Sequence, residues 1–344
     1  MVDLSIVIIG YYSKKYLDTC IPSLLHQTFK NINVLFIDNH SSDDSYDYVS
    51  DKYPDIPVVR NSDNLGYAKA ANQGISANRK SKYVMIINPD VVLNLDYVEK
   101  AVEKMEEDEK IGAITGKVYK YDFEKKKKTR VIDSVGLLCF KNRRIVDEAQ
   151  GIEDEGQFDK EKEVFGVSGA CPIFRMKALK EAKVFGEYFD SDFFMYKEDI
   201  DLSWRLRLFG WKSYFLPDAK AYHVRGTGVL KRYTNYEVMK NRKHLNKKQK
   251  YYSLRNQRLM QVKNEFGVSF WKSLPAIIWK EILIFGYVVL REPYLLKAYG
   301  SFFKNLKQAR KKRRYIKKNK KISSKRMYKW LAAKKPKYEI KETI

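Results

Sequence analysis

"YVMIINPDVVL", residues 83–93, decides how the chain is read. Residues 83–87 are β-formers without polar alternation, the pattern of a strand buried on both faces. Asn88-Pro89 stops the run, because proline brings no amide hydrogen to a ladder and Asn-Pro favours a turn. Asp90 then stands at the strand's end. Turn chemistry alone accounts for an acid in that place, so its meaning depends on what surrounds it.

Similar short apolar runs lie at residues 4–9, 34–37, 57–59 and 111–114, separated by helix-like stretches at roughly 15–28, 43–52, 67–79 and 94–108. Such alternation argues for an α/β fold with a mostly parallel sheet flanked by helices. Ligands of open sheets bind beyond the carboxyl ends of the strands. Asp38 follows "VLFI" and Asp90 follows "YVMIINP", so both acids occupy such ends. Two nucleotide-fold signatures are missing. Gly10 is followed by "YYSKKYLDTC", without a G-x-G-x-x-G turn, and no G-x-x-x-x-G-K-[ST] loop occurs.

The formal charge of +25 is unevenly placed. Residues 1–230 hold 34 Lys and Arg against 36 Asp and Glu, whereas residues 231–344 hold 33 against 6. A near-neutral globular body over 1–230, divided near residue 120, is therefore expected to precede a basic C-terminal region. Cys20, Cys139 and Cys171 form no CxxC pair, which fits a reducing cytosol. "MVDLSIVIIG" has no basic n-region and reads as a first strand, not a signal peptide.

Residues 120–165 read as an inserted polar segment, with "KYDFEKKKKTR" a solvated charge run. "FGVSGACPIFR" (165–175) reads as a small-residue strand and "EDIDLSWRLRLFGW" (198–211) as a helix. Ile200, Trp204 and Leu208 make its core-facing stripe. Glu198, Asp199 and Asp201 fall in its first turn, where the helix dipole favours negative charge, and capping is the competing role for all three.

Taken in order, "IVIIGYY" (6–12), "FIDNHSSDDS" (36–45), "RNSDNLGYAKAANQGI" (60–75), "INPD" (87–90), "GACPIFR" (169–175), "FFMYKEDIDLSWRLRLFGW" (193–211) and "AYHVRGTG" (221–228) resemble the inverting glycosyltransferases of family 2, of GT-A fold, and especially their rhamnosyltransferase-like branch. The resemblance covers about residues 3–230. It implies a nucleotide-diphosphate sugar donor and a glycan or lipid-linked acceptor. Asp38 matches the acid that reads the nucleobase, and Asn64, Gly66 and Asn72 match the lining of the nucleotide pocket. Asp90 matches the last acid of the D-x-D element, which holds a divalent metal on the diphosphate. Asn88 stands where many relatives have the first Asp of that element. Asp199 best matches the catalytic base, with Glu198 and Asp201 as alternatives, and His223 matches a second metal ligand. Arg175 and Arg205 are open between phosphate contact and salt bridging.

The chemistry needs these groups for its own reasons. A cation neutralises charge growing on the leaving diphosphate. Oxygen ligands suit Mg²⁺ or Mn²⁺, and an added imidazole favours Mn²⁺. Inversion requires a carboxylate to take the proton of an acceptor hydroxyl attacking from the opposite face.

Beyond residue 230, residues 235–265 read as polar helix, with "YYSLRNQRLM" resembling the arginine-asparagine helix that follows this catalytic domain. "VSFWKSLPAIIWKEILIFGYVVLREPYLL" has a longest uncharged run of nine residues, 282–290, against about 20 for a spanning helix. An amphipathic interfacial helix is expected instead, anchored by Trp271, Trp279 and Phe285. The following "KQARKKRRYIKKNKKISSKR" would attract an anionic leaflet. This places the protein in the cytoplasm, peripherally on the inner face of the cell membrane, and truncation after about residue 265 is expected to leave a soluble protein that no longer floats with anionic liposomes. A nucleic-acid-binding protein would explain the basic tail but not the acids at the strand ends, so no nucleic acid partner is expected. A nucleotidyltransferase would need a glycine-rich, basic loop after the first strand, which "GYYSKKYLD" is not.

Overall fold

The computed structural model describes residues 2–225, 242, 245–334 and 336. Its centre is a ten-stranded sheet. The strands β1 (Leu4–Gly10), β2 (Ile32–Asp38), β3 (Val58–Arg60) and β4 (Tyr83–Ile87) run parallel in the order β4-β1-β2-β3. Every residue of β1 and β4 is buried, as their unbroken apolar runs require. Successive side chains of β1 serve opposite layers. Val7 and Ile9 pack against α3 (Tyr67–Ala77), whereas Ile6 and Ile8 pack with α1 (Lys14–Leu25), α2 (Ser45–Lys52) and α4 (Tyr97–Glu107). Each such fully buried Ile contributes about 1.5–3 kcal/mol. A Cβ on Gly74 of α3 would lie 2.3 Å from Val7, so glycine sets the helix–sheet approach.

The sheet continues through β5 (Val91–Leu93) and β6 (Ile111–Asp122). Residues 120–165 are not the polar insertion expected from sequence. They hold β7 (Lys127–Ser134), β8 (Leu137–Cys139), β9 (Ile145–Asp147) and β10 (Lys162–Val164). The charged run is the turn and exposed end of a β6–β7 hairpin, whose far end carries the buried Ile132, Asp133 and Ser134. The small-residue segment forms a strand only at β11 (Ile173–Arg175), antiparallel to β4 and β6.

After α5 (Met176–Glu181) comes α6 (Glu198–Leu208), which is buried around nearly its whole circumference and not along one stripe. β12 (Lys212–His223) runs parallel to β6 and antiparallel to β5. Arg175 and Arg205 are structural. Arg175 donates to the carbonyls of Ile111 and Met105, and Arg205 to Asp201 and the carbonyls of Ala182 and Tyr188.

The C-terminal region is helical and docked. It comprises α7 (Lys247–Asn264), α8 (Gly267–Arg291), α9 (Leu296–Asn319) and α10 (Ser324–Tyr328). The first part of the stretch expected as polar helix, residues 235–241 with 243 and 244, lies outside the described residues, as does Gly226. Lys263 of α7 bridges Asp190 and Asp201, Asn264 donates to Asp201, and Lys312 of α9 reaches Asp190 and Asp192. Asp201, for which capping was the competing role in the sequence, is thus an ion-pair anchor for the C-terminal helices. Burial opposes ionisation of Asp190, yet the two lysines hold its carboxyl well below the usual range.

The nine-residue uncharged run understated α8. It is one helix of 25 residues, with an 18-residue window of mean hydropathy 1.7, long and apolar enough to cross a membrane by length and composition. Its packing is inverted. Ser269, Ser273, Ile277, Lys280 and Val288 face the protein, while Trp271 (68% exposed), Trp279 (63%), Ile282, Phe285 and Leu290 (80%) face outward.

Candidate active site

β5 and β12 create the centre of the site. Their antiparallel register pairs Val91 with His223, which sets Asp90 beside the imidazole. His223 Nε2 lies 3.3 Å from Asp90 Oδ1, and the Asp90 carbonyl accepts from the Val224 amide. On its other side, His223 Nδ1 lies 2.9 Å from Oδ2 of Asp133, a buried residue of β7. Arg225 pairs with Asp133 and with Asp147 of β9. Burial alone would lower the histidine's pKa, but Asp90 and Asp133 outweigh it and push it up to about 10. Burial likewise opposes ionisation of Asp133, yet Arg225 and His223 hold its carboxyl well below the usual range.

Asp199 approaches from the start of α6. Its Oδ2 accepts from the Gly169 amide at 3.2 Å and its Oδ1 from the Ile200 amide at 2.8 Å. The next residue of that segment, Ala170, accepts from the Asn88 amide at 2.9 Å. One short segment therefore joins the β4 turn to the acid of α6. A Cβ on Gly169 would sit 3.3 Å from Asp199 Oδ2, so the small residue keeps the carboxylate close to the backbone. Burial raises the pKa of Asp199 and pushes that of Glu198 up to about 8, the latter helped by the neighbouring Asp199. Glu198 Oε2 is buried without a hydrogen-bond partner among the described residues.

The remaining residues fall into two groups. Asp38 ends β2 and is fully buried. Its carboxylate accepts from the Ser41 amide, and Arg60 Nε is 3.7 Å away, so it fixes the turn after β2. Asn64 Oδ1 accepts from the Gly66 and Asn39 nitrogens, ordering the loop that enters α3. Gly66 has φ +78 and a Cβ there would lie 2.6 Å from Phe194, so glycine is needed. The Asn72 amide donates to the Phe189 carbonyl and accepts from the Tyr188 and Phe189 amides, which commits both ends to backbone. It ties α3 to the 188–189 turn.

Asp133, Asp147 and Arg225 were missed by sequence reasoning, since nothing local marks a residue that acts through a distant strand. Arg255 and Asn256 were noticed only as a resemblance. Asn256 donates to the Phe193, Met195 and Tyr196 carbonyls, and Arg255 to that of Asp192, so α7 moulds the turn leading into Glu198 and Asp199.

Comparison with known proteins agrees with this architecture. The family model for glycosyl transferase family 2 matches residues 5–182. The N-acetylglucosaminyl-diphospho-decaprenol L-rhamnosyltransferase of Mycobacterium tuberculosis is 27% identical over 237 residues, which is 64% of this chain and 75% of that protein. The poly-beta-1,6-N-acetyl-D-glucosamine synthase of Staphylococcus epidermidis is 26% identical over 220 residues, 63% of this chain and 48% of its own length. Among solved structures, residues 1–349 of S. aureus TarS in complex with UDP-GlcNAc superpose with a TM-score of 0.56 at 16% identity, covering 92% of this chain and 89% of that one. GalNAc-T7 with UDP, GalNAc and Mn²⁺ has a TM-score of 0.52 at 13% identity, covering 64% and 43%.

The sheet, with Asp38 at the carboxyl end of β2 and Asp90 just beyond that of β4, has the GT-A fold of these solved structures. The chain belongs to glycosyltransferase family 2 and is a glycosyltransferase enzyme.

Proposed function

We propose that the protein is an inverting, metal-dependent glycosyltransferase of hexosyltransferase type. It moves a sugar from a nucleotide-diphosphate donor to a glycan or lipid-linked acceptor in surface polysaccharide or glycoconjugate synthesis. The observation that carries this reading is the 3.3 Å approach of Asp90 and His223, braced by Asp133. The described residues hold no cluster of three or more acidic, His or Cys ligands. Two protein donors suit a cation that takes its other ligands from substrate phosphates and water, and one imidazole favours Mn²⁺ over Mg²⁺. When bound, the cation supplies Lewis-acid stabilisation of the leaving diphosphate.

The chain's own residues do the rest. Asp199 accepts the acceptor hydroxyl's proton as that oxygen attacks the anomeric carbon opposite the diphosphate. Burial raises the pKa of Asp199, which suits a proton acceptor, while its two amide hydrogen bonds pull the other way; Glu198, with an unpartnered oxygen, is pushed higher, to about 8. Asp38 reads the nucleobase in this scheme, with Asn64 and Gly66 shaping the pocket wall and Asn72 holding the opposite turn. The relative that is a rhamnosyltransferase makes dTDP-rhamnose the first donor to test and a UDP-hexose the second.

The protein sits on the inner face of the cell membrane in this reading. Support comes from the inverted apolar face of α8 and from exposed Lys304, Lys307, Arg310, Lys311, Arg314, Lys317 and Lys318 on α9. A donor panel followed by nucleotide-diphosphate release, with and without Mn²⁺, tests the enzymatic reading. Release that is indifferent to chelator removes the metal from it.

A further inference from the structure

A cavity of about 200 Å³ lies between α7 and α8, beside the β8–β9 turn. Its wall joins two chemistries. Lys197, Arg144, Arg258 and Lys280 supply positive charge, while Leu283 and Ile284 supply hydrocarbon. Arg143 also borders it, but its guanidinium is committed to Glu265. The single carboxylate of Glu281 serves both Arg258 and Lys280, so those two cations exceed their counter-charge. Lys197 makes no salt bridge among the described residues; Lys280 is 6% exposed and its ammonium is only 3.3 Å from Glu281. A buried ammonium without full compensation is costly unless an anion joins it. Burial in fact pushes the Lys280 pKa down to about 8.

Position gives the cavity its meaning. Lys197 is the residue before Glu198 and caps α6 with φ 75, so the wall of the cavity is continuous with the element that carries Asp199. On the other side Leu283, 41% exposed, belongs to the outward apolar face of α8. The cavity is therefore bordered on one side by the residue that leads into Glu198 and Asp199 and on the other by the edge of the surface suited to a bilayer.

We infer that this cavity binds the phosphate-bearing end of a lipid-linked acceptor, with its phosphates on Lys197, Lys280 and Arg258 and the first part of its hydrocarbon chain along Leu283 and Ile284. Charge complementarity selects phosphate, because ammonium and guanidinium groups are its ordinary partners. The apolar half selects a phosphate that carries a chain, not a free anion. The geometry also explains delivery: a sugar attached to a phosphate held beside Lys197 extends toward Asp199, which needs its hydroxyl. This inference rests on the lipid-linked-acceptor reading above and goes further by placing the acceptor.

The test uses the full-length protein with farnesyl diphosphate as the probe, measured by calorimetry beside inorganic pyrophosphate and farnesol. Farnesyl diphosphate is expected to bind at least tenfold more tightly than either fragment and to persist in saturating UDP or dTDP. Lys280→Met, which keeps the buried stem, and Leu283→Glu, at the mouth, should each weaken it about tenfold. In transfer assays both should raise the KM for a prenyl-diphosphate-linked sugar by a similar factor, leaving the KM for the nucleotide-sugar within twofold. Displacement of the probe by nucleoside diphosphate would put it in the donor pocket and overturn the assignment. So would transfer to the lipid-linked acceptor with unchanged KM in both variants. An enzyme that transfers only to soluble glycans would overturn the lipid-acceptor reading itself, and a donor panel without turnover would overturn the enzymatic one.

Discussion

His223 Nδ1 meets Asp133 Oδ2 at 2.9 Å, across 90 residues of sequence, while its Nε2 faces Asp90. A histidine that ligates a metal through one nitrogen is oriented by the partner of the other, and such partners typically affect metal affinity 10–100-fold. Asp133→Asn should therefore weaken Mn²⁺ binding by about that factor without removing a ligand. Mn²⁺ titration of the thermal stabilisation given by UDP or dTDP measures it. His223→Ala should be at least as damaging, and the double variant little worse than His223→Ala alone. Unchanged Mn²⁺ affinity in Asp133→Asn would reduce Asp133 to a partner of Arg225.

Asp199→Asn tests the base. The amide is nearly isosteric, so donor affinity should survive while turnover falls by roughly 10²–10⁴-fold, the usual contribution of a positioned proton acceptor. Steady-state kinetics beside donor calorimetry separates the two effects. If Glu198→Gln costs more turnover than Asp199→Asn, the base is the preceding residue.

Glu198 makes a separate prediction about stability. Its folded pKa, near 8, lies above the value of about 4.3 expected for an unfolded chain. Between those limits the folded state binds the extra proton, so raising the pH through that window costs stability. Glu198→Gln removes the titration. Its melting temperature should exceed that of the parent most at about pH 8.5, and the gap should shrink toward pH 5. Parallel melting curves across that range would count against a buried, protonated Glu198.

How much of this was legible depends on where the information lies. β1, β2 and β4 were readable because strands buried on both faces are continuous apolar runs, and that pattern is local. Asp90 was readable because Pro89 ends such a strand at the mouth of the sheet. β7 was not, since its lysines and arginine face water at one end while Ile132 and Asp133 are buried at the other, a division only the β6 pairing creates. Asp133 was lost with it. The tie made by Asn72 was hidden for the complementary reason: its motif position is plain, but the 188–189 backbone that takes up its amide is more than 100 residues away.

The outward face of α8 should bind anionic bilayers. Trp271, Trp279 and Leu290 are largely exposed, whereas Ser269, Ser273 and Lys280 are buried, so replacement of the former disturbs little packing. Trp271→Ser with Trp279→Ser should weaken flotation with anionic liposomes at least tenfold at about 0.15 M salt, where screening already reduces the electrostatic share, and leave the melting temperature within a few degrees. Undiminished flotation would move the attachment to the basic face of α9.

Truncation near residue 265 should fail to yield an active enzyme, because the C-terminal helices are docked on the turn that leads into the site. The cut removes α9, and with it the Lys312 ammonium that pairs with Asp190 and Asp192 and the Arg313 guanidinium that donates to the Val262 and Glu265 carbonyls. Asp190 is buried, and once Lys312 is gone its ion pairing among the described residues falls to Lys263, which also serves Asp201 beside Arg205. Breaking a buried ion network by removing one partner typically costs about 3–5 kcal/mol. The loss is local to the 190–197 turn, which Arg255 and Asn256 hold from α7 and which leads directly into Glu198 and Asp199. Lys312→Met isolates this contact inside the full-length chain. It should lower the melting temperature and reduce turnover while farnesyl diphosphate and liposome binding persist, because neither the cavity nor the outward face of α8 includes Lys312. A Lys312→Met enzyme with parental stability and turnover would show that the C-terminal helices are docked without supporting the site.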